Sequence, residues 1–372
     1  MSLPILISKF GLEKLGVVFT NQALVLMLAS IANYSFMYFV PTQSKKISND
    51  KKAFIKLWSL VVNLRFFISL LLSVLSIVIV CIYFNSFLKL WLLSLLLLLP
   101  KIINPSLFIN ALENNKLNFK IGLVSKLVFL ISVIFISNSN YINFFLGFSE
   151  LLVLIGYFIL INNSFLKIEM LSVNKILAFA KETINLFFVN FFSMLKPASI
   201  LPIISVFIGN EFVTLYTLAE KIMNIIRGVS GAMFVSFFPI YNKEKIKLHI
   251  VSLQNATIIV FLSTVIVGVM WFSSPYIIYL LNNFNDSLIA TKTLRILSLS
   301  VPMYFMVVPL FSYLLALDKQ NIILITAILQ LLVLFVIIFV FHNTVMQIAY
   351  AYVVSEYILL LGYYFFFVRL NR

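Results

Sequence analysis

Glu220, Asn224, Arg227 and Gly231 follow one another at intervals of four, three and four residues, so on an α-helix they share one polar face within an otherwise apolar run. The run before it carries a similar stripe, Asn190, Ser193 and Lys196. Counted at ~1.5 Å per residue from expected helix starts at Glu182 and Val213, Lys196 and Arg227 both lie ~21 Å along, near the middle of a crossing. A charge at that depth costs ~2.5–3.5 kcal/mol on insertion scales and needs a partner or a watery cavity. One use for two such cations is to hold a phosphate-bearing anion, because arginine grips phosphate oxygens in a bidentate fork and lysine supplies a point charge. The competing use is structural, with Lys196 paired to Glu220 or Glu182. No acid in Arg227's own half-turn neutralises it. Pro197 and Pro202 free backbone carbonyls just after Lys196, which makes that stretch either a static bend or a moving hinge.

Other buried charges are weaker candidates. Arg65, Lys101 and Lys126 stand nearer the cytoplasmic ends of their runs and can snorkel, so packing or headgroup contact is expected of them, with Arg65 a further candidate for a cationic binding surface. Glu150, Glu356 and Glu220 are candidates for ion coupling.

The elements that position these residues are membrane helices. Apolar residues make up 62% of the chain, charged residues 10%, and mean hydropathy is +1.10, which excludes an ordinary soluble domain. Crossings are expected near 15–40, 60–84, 86–112, 119–137, 141–162, 182–208, 213–238, 250–281, 293–317, 320–342 and 345–368, eleven in all. The runs are continuous and not alternating, which excludes a barrel. Sixteen Lys/Arg residues, including Lys45, Lys46, Lys51, Lys120, Lys181, Lys247 and Arg372, fall in one set of alternate connections and five in the other. The first set and the C-terminus are therefore expected in the cytoplasm, held to anionic lipids. The net charge of +15 is not a nucleic-acid signal, because the cations lie in short loops between apolar segments.

The chain also repeats itself. At an offset of 198, Gly11, Glu13, Phe36, Phe39, Pro41 and Lys45 fall on Gly209, Glu211, Phe234, Phe237, Pro239 and Lys243. At 205, Ala111-Leu112-Glu113 meets Ala316-Leu317-Asp318, and at 206 Ser149-Glu150 and Gly156-Tyr157 meet Ser355-Glu356 and Gly362-Tyr363. Pro100 and Pro105 match Pro302 and Pro309 within one span of each half. Because the crossing ending at Gly209 has only ten residues of a counterpart before Gly11, residues 1–10 read as the tail of a shortened first span and not as a signal peptide. The design is then six plus six, with parallel halves related by an axis along the membrane normal and lobes at 1–168 and 169–372.

Pro4 to Gly16, the segment Leu218-Ala219-Glu220-Lys221-Ile222 with Arg227, and Phe237-Phe238-Pro239 resemble the Wzx-type O-antigen and polysaccharide flippases of the multidrug/oligosaccharidyl-lipid/polysaccharide (MOP) exporter superfamily. The resemblance implies two six-helix lobes of MATE-like fold around a central cavity. It also implies an undecaprenyl-diphosphate-linked oligosaccharide as substrate, moved between leaflets of the bacterial inner membrane beside other polysaccharide assembly proteins. Lys196, Arg227, Asn224 and Arg65 are then the expected cationic binding surface. A drug exporter of the same superfamily would favour an acidic cavity, whereas the midplane here carries more cations than acids. A membrane glycosyltransferase or polymerase needs paired carboxylates on a sizeable loop, and the longest loops, near 41–59 and 163–181, are lysine-rich. No glycine-rich phosphate loop supports ATP hydrolysis. Cys81, His249 and His342 make no metal cluster, and no cofactor is implied.

Overall fold

The computed structural model describes residues 2–34, 36, 40, 50–84, 87–105, 108, 115–160, 168–243, 248–283, 285, 287–317 and 319–370. Among them there is no strand. The helices are α1 (Ser2–Ala32), α2 (Lys51–Tyr83), α3 (Leu88–Leu95), α4 (Leu98–Ile102), α5 (Asn115–Phe135), α6 (Ile142–Leu160), α7 (Val173–Glu182), α8 (Ile184–Phe207), α9 (Asn210–Lys243), α10 (Leu248–Leu281), α11 (Leu288–Ser298), α12 (Val301–Ala316), α13 (Gln320–Val340) and α14 (Val345–Leu370). Repeat positions Pro41, Lys45 and Ala111-Leu112-Glu113, and loop residues Lys46 and Lys247, lie outside the described residues.

Eight helices or helix pairs among the described residues are long and apolar enough to cross a membrane. The chain is thus an all-helical, multi-pass membrane protein. Of the eleven expected crossings, 86–112 is instead broken into short pieces at Leu96–Leu97 and again after Ile102. The cause is local: Pro100 and Pro105 each remove a backbone donor, and each restricts the residue before it. Its repeat mate breaks at the corresponding place, between Ser298 and Val301, with Pro302 in the first turn of α12. The helices α5 and α9, over 119–137 and 213–238, have crossing length but carry several charges, Glu211, Glu220, Lys221 and Arg227 on α9 among them. The sequence expectation of a loop at 163–181 is also corrected, because Val173–Glu182 is a helix closed at Thr183, whose hydroxyl caps the carbonyl of Phe179.

The described chain packs as two compact units, Met1–Leu6 with Val18–Ala198 and Ile7–Val17 with Ser199–Arg372. This is a division by packing. The lobes 1–168 and 169–372 are a proposed division by ancestry, and the two need not coincide. The first unit is built on α2, which starts where the Asp50 carboxylate accepts from the amides of Lys52 and Ala53. Its core is aromatic: Trp58 and Phe54 meet Phe108 edge-on, with Ile176 and Phe179 of α7 packed into the same cluster.

In the second unit α9 packs against α11 and α12, and α13 against α14. The start of α9 comes so close to α1 that a β-carbon on Gly16 would lie 1.7 Å from the Asn210 carbonyl oxygen, so only glycine fits. Pro275 interrupts the hydrogen-bond ladder of α10 and leaves the carbonyl of Trp271 without its helical donor. Arg295 fills the gap. Its Nε donates to that carbonyl at 3.1 Å and to Ser274 Oγ at 3.0 Å, while the guanidinium lies over the Trp271 ring.

Positions paired by the repeat behave alike in several places. Gly11 and Gly209 both take positive φ, 75° and 132°, at the turns into their following helices. A β-carbon on Gly156 would meet Ile121 at 3.7 Å, and one on Gly362 would meet Thr326 at 2.8 Å; Ile121 and Thr326 are themselves 205 residues apart.

Candidate functional site

The α9 stripe does come together around Arg227. Tyr216 and Glu220, one turn apart, stand on the side of α9 that faces Tyr304 of α12 and Tyr352 of α14, and Arg227 follows two turns later. Its Nη1 donates to Asn224 Oδ1 at 2.7 Å and its Nη2 to the Tyr304 hydroxyl at 3.0 Å. The guanidinium lies 5.1 Å from the Tyr304 ring centre and 5.2 Å from that of Tyr352, within cation–π range of both. Tyr304 in turn donates to the Tyr352 hydroxyl at 3.3 Å. The Nε of Arg227 and the hydroxyl of Tyr216 are buried and have no hydrogen-bond partner.

No acid stands in Arg227's own half-turn, as expected, but one approaches it from two turns back. Glu220 Oε1 stands 3.8 Å from Nη1, with the side chains 13% and 21% exposed, because two full helical turns return to the same face. Glu220 is therefore engaged within its own helix. Glu356, one turn beyond Tyr352 on α14, is buried and accepts from Gln330 Nε2 of α13 at 3.0 Å. It is near enough to act electrostatically on Arg227, Tyr304 and Tyr352. The result is a mixed cluster of one guanidinium, two carboxylates, an amide pair and three phenols. Chemically it presents a preoriented cation with a donor unspent.

The other expected site residues, Pro202 apart, belong to the first unit. Lys196 is buried on α8, and the helix runs unbroken through Pro197 and Pro202. Its stripe partners are spent on backbone: Asn190 Nδ2 donates to the carbonyls of Tyr34 and Ser30, and Ser193 Oγ to Val189. Arg65 is not at a headgroup. It is fully buried, its Nη1 reaches the Asn104 carbonyl at 3.4 Å, its guanidinium lies over Phe36, and its Nε has no partner. Lys101 does not snorkel freely either, since it pairs with Glu150 at 2.9 Å. That pair occupies the Glu150 carboxylate. Lys126 is exposed, as expected.

A groove of about 440 Å³ in the first unit holds none of these residues. It is lined by carbon from α2 to α4 and by Phe144 of α6, with Ser69 and Ser73 its polar members, so it suits a lipid chain and not a phosphate.

Sequence reasoning missed Tyr216, Tyr304, Tyr352 and Gln330. A signal existed: a tyrosine in mid-span carries a hydroxyl that hydrocarbon cannot satisfy, and Tyr352 and Glu356 stand one turn apart.

No protein-family model and no curated protein matches the sequence. Solved structures do match the fold. An inward-facing multidrug resistance MATE family transporter of the MOP superfamily aligns over 100% of this chain and 93% of its own, with TM-score 0.76 and 12% identity. The lipid II flippase MurJ, in an inward closed conformation, aligns over 98% and 84%, with TM-score 0.73 and 19% identity. An outward-facing MATE family transporter aligns over 99% and 88%, with TM-score 0.62 and 14% identity. At these identities the likeness is one of fold: the chain has the architecture of MATE transporters and of the MurJ flippase.

Proposed function

We propose that this protein is a flippase that carries an undecaprenyl-diphosphate-linked oligosaccharide, a repeat unit of O-antigen or capsule, from the cytoplasmic to the periplasmic leaflet of a bacterial inner membrane. The observation that carries the proposal is the clamped guanidinium of Arg227. Two tyrosine rings and the Asn224 and Tyr304 oxygens fix its plane, and Nε keeps an unused donor. A cation held this way meets a diphosphate with little ordering left to do, which is where preorganisation raises affinity. Asn224, exposed on the same helix, supplies a further donor, and Lys196 and Arg65 are the other cations assigned to the substrate. The fold likeness to a lipid II flippase supports a lipid-linked cargo.

Glu220 and Glu356 are the acids assigned to ion coupling, since both lie within electrostatic reach of Arg227. Glu150 is a weaker assignment now that Lys101 holds it. Pro197 and Pro202 are assigned as a hinge, and the boundary between the compact units falls between them, at Ala198 and Ser199. The plan of two parallel six-helix repeats with a cytoplasmic C-terminus belongs to the same proposal. A second reading, export of small cationic compounds, is favoured by those two acids and by the MATE likeness.

Arg227→Ala tests the main reading. Export of surface polysaccharide by a flippase-null strain should fall about 100-fold at normal membrane abundance, the scale of a lost charge-assisted fork at ~3 kcal/mol. Arg227→Lys should rescue in part. Normal glycan export by Arg227→Ala sinks the proposal; lost resistance to cationic compounds with glycan intact favours the second reading.

A further inference from the structure

We infer that α7 is an in-plane membrane helix whose outer face binds the anionic glycerophospholipids of the cytoplasmic leaflet. Its inner face is already used. Ile176 and Phe179 pack into the cluster of Phe54, Leu57, Trp58 and Val61 on α2, and the Ala180 carbonyl accepts from the Tyr34 hydroxyl at 2.9 Å. The segment leading into it is clamped as well. The Glu169 amide donates to Ser59 Oγ, and Asn63 Nδ2 donates to the Glu169 carbonyl, each at 2.9 Å.

Those clamps set the depth. Asn63 is three residues, ~5 Å, from Phe66, where the outward apolar surface of α2 begins. The segment is thus tied to the rim of the hydrocarbon layer, at the end of α1 and α2 that the lysine bias assigns to the cytoplasm. Outside any crossing, it nevertheless exposes Ile168, Met170 (97%), Val173 (58%) and Leu177 (61%).

The pattern selects lipid as the occupant. Val173, Leu177 and Lys181 follow at intervals of four, one row of two apolar side chains ending in a lysine. Asn174, Lys175, Ala178 and Glu182 fill the remaining exposed arc, and Glu169 stands ahead of the helix. An apolar row flanked by lysines matches a bilayer interface, with methyl groups below the phosphates and ammonium groups among them. Continuity points the same way: after Thr183 the chain turns into α8, whose Ile184 and Phe188 expose the lipid-facing side of a crossing.

The test uses the full chain in vesicles, with exposed Cys81 replaced by serine. Single cysteines at Val173, Leu177 and Ala178 carry a fluorophore, quenched either by aqueous iodide or by a spin-labelled lipid. In vesicles containing phosphatidylglycerol, iodide quenching should be about threefold weaker at 173 and 177 than at 178, with lipid quenching in the opposite order. In the Lys175→Gln and Lys181→Gln background, partition of the 177 label into the anionic bilayer should fall about fivefold per lysine, and pure phosphatidylcholine vesicles should show no such dependence. Equal iodide quenching at 177 and 178 overturns the inference. So does protection of 177 from both quenchers, which would mean that protein and not lipid covers the face.

Discussion

Glu150 and Glu356 are the same position of the repeat, 206 residues apart, and each follows a serine whose hydroxyl turns back three residues, Ser149 to Leu146 and Ser355 to Tyr352. Their carboxylates are spent differently. In the N-terminal half Lys101 neutralises Glu150, with the side chains 29% and 28% exposed. In the C-terminal half Glu356 is 5% exposed, takes an amide hydrogen from Gln330 and lies within electrostatic reach of Arg227. The register that pairs Pro100 with Pro302 puts Met303 where Lys101 stands. A matched acid thus keeps its backbone setting in both halves and changes its partner. The half without the lysine is the half that holds the clamped guanidinium.

The comparison breaks most sharply at the two acids themselves. Glu356→Gln preserves shape and should reduce transport by about 100-fold at normal abundance, the scale of one hydrogen bond to a charged group. Glu150→Gln should change transport less than about twofold, because its partner is partly exposed and screened. Equal losses would erase the asymmetry.

A smaller effect separates the matched glycines. Gly362→Ala would press a methyl to 2.8 Å from Thr326 Cγ2 and should cost ~1–2 kcal/mol in a thermal melt of the purified protein. Gly156→Ala, with 3.7 Å to Ile121, should melt with the wild type. A stable Gly362→Ala would mean that α13 and α14 separate more readily than their packing implies.

The smallest effect comes from making the N-terminal half resemble the C-terminal one. Lys101→Met strands Glu150 and should lower stability by less than ~1 kcal/mol, and adding Glu150→Gln should restore it. Failure of the second change to restore would show that Lys101 acts through something besides Glu150.

The helices and the Glu220, Asn224, Arg227 row were legible because each is written in local spacing, whereas the spans holding Pro100 and Pro302 read as continuous and are broken. The partners of that row were not. Tyr304 and Tyr352 lie 77 and 125 residues beyond Arg227, and in an apolar chain a tyrosine reads as one more lipid-facing aromatic. Lys101 and Glu150 are 49 residues apart and looked like two independent charges. The helix α7 was hidden for another reason: its apolar side chains are diluted by lysine, asparagine and glutamate, so a window sized for a crossing averages it away. For Arg65 packing and headgroup contact stayed open in the sequence, because depth along a helix does not tell which way the side chain turns; it is packed.

Pro275 and Arg295 have to be inherited together. Replace the proline, and an amide returns to claim the Trp271 carbonyl, leaving a guanidinium to find another acceptor. Replace the arginine, and the Trp271 carbonyl keeps only the Ser274 hydroxyl, which donates to it at 3.0 Å. Neither single change is a step toward a straight helix, so among descendants of this sequence the two positions should vary as a pair, and a lineage that has lost one should have lost the other.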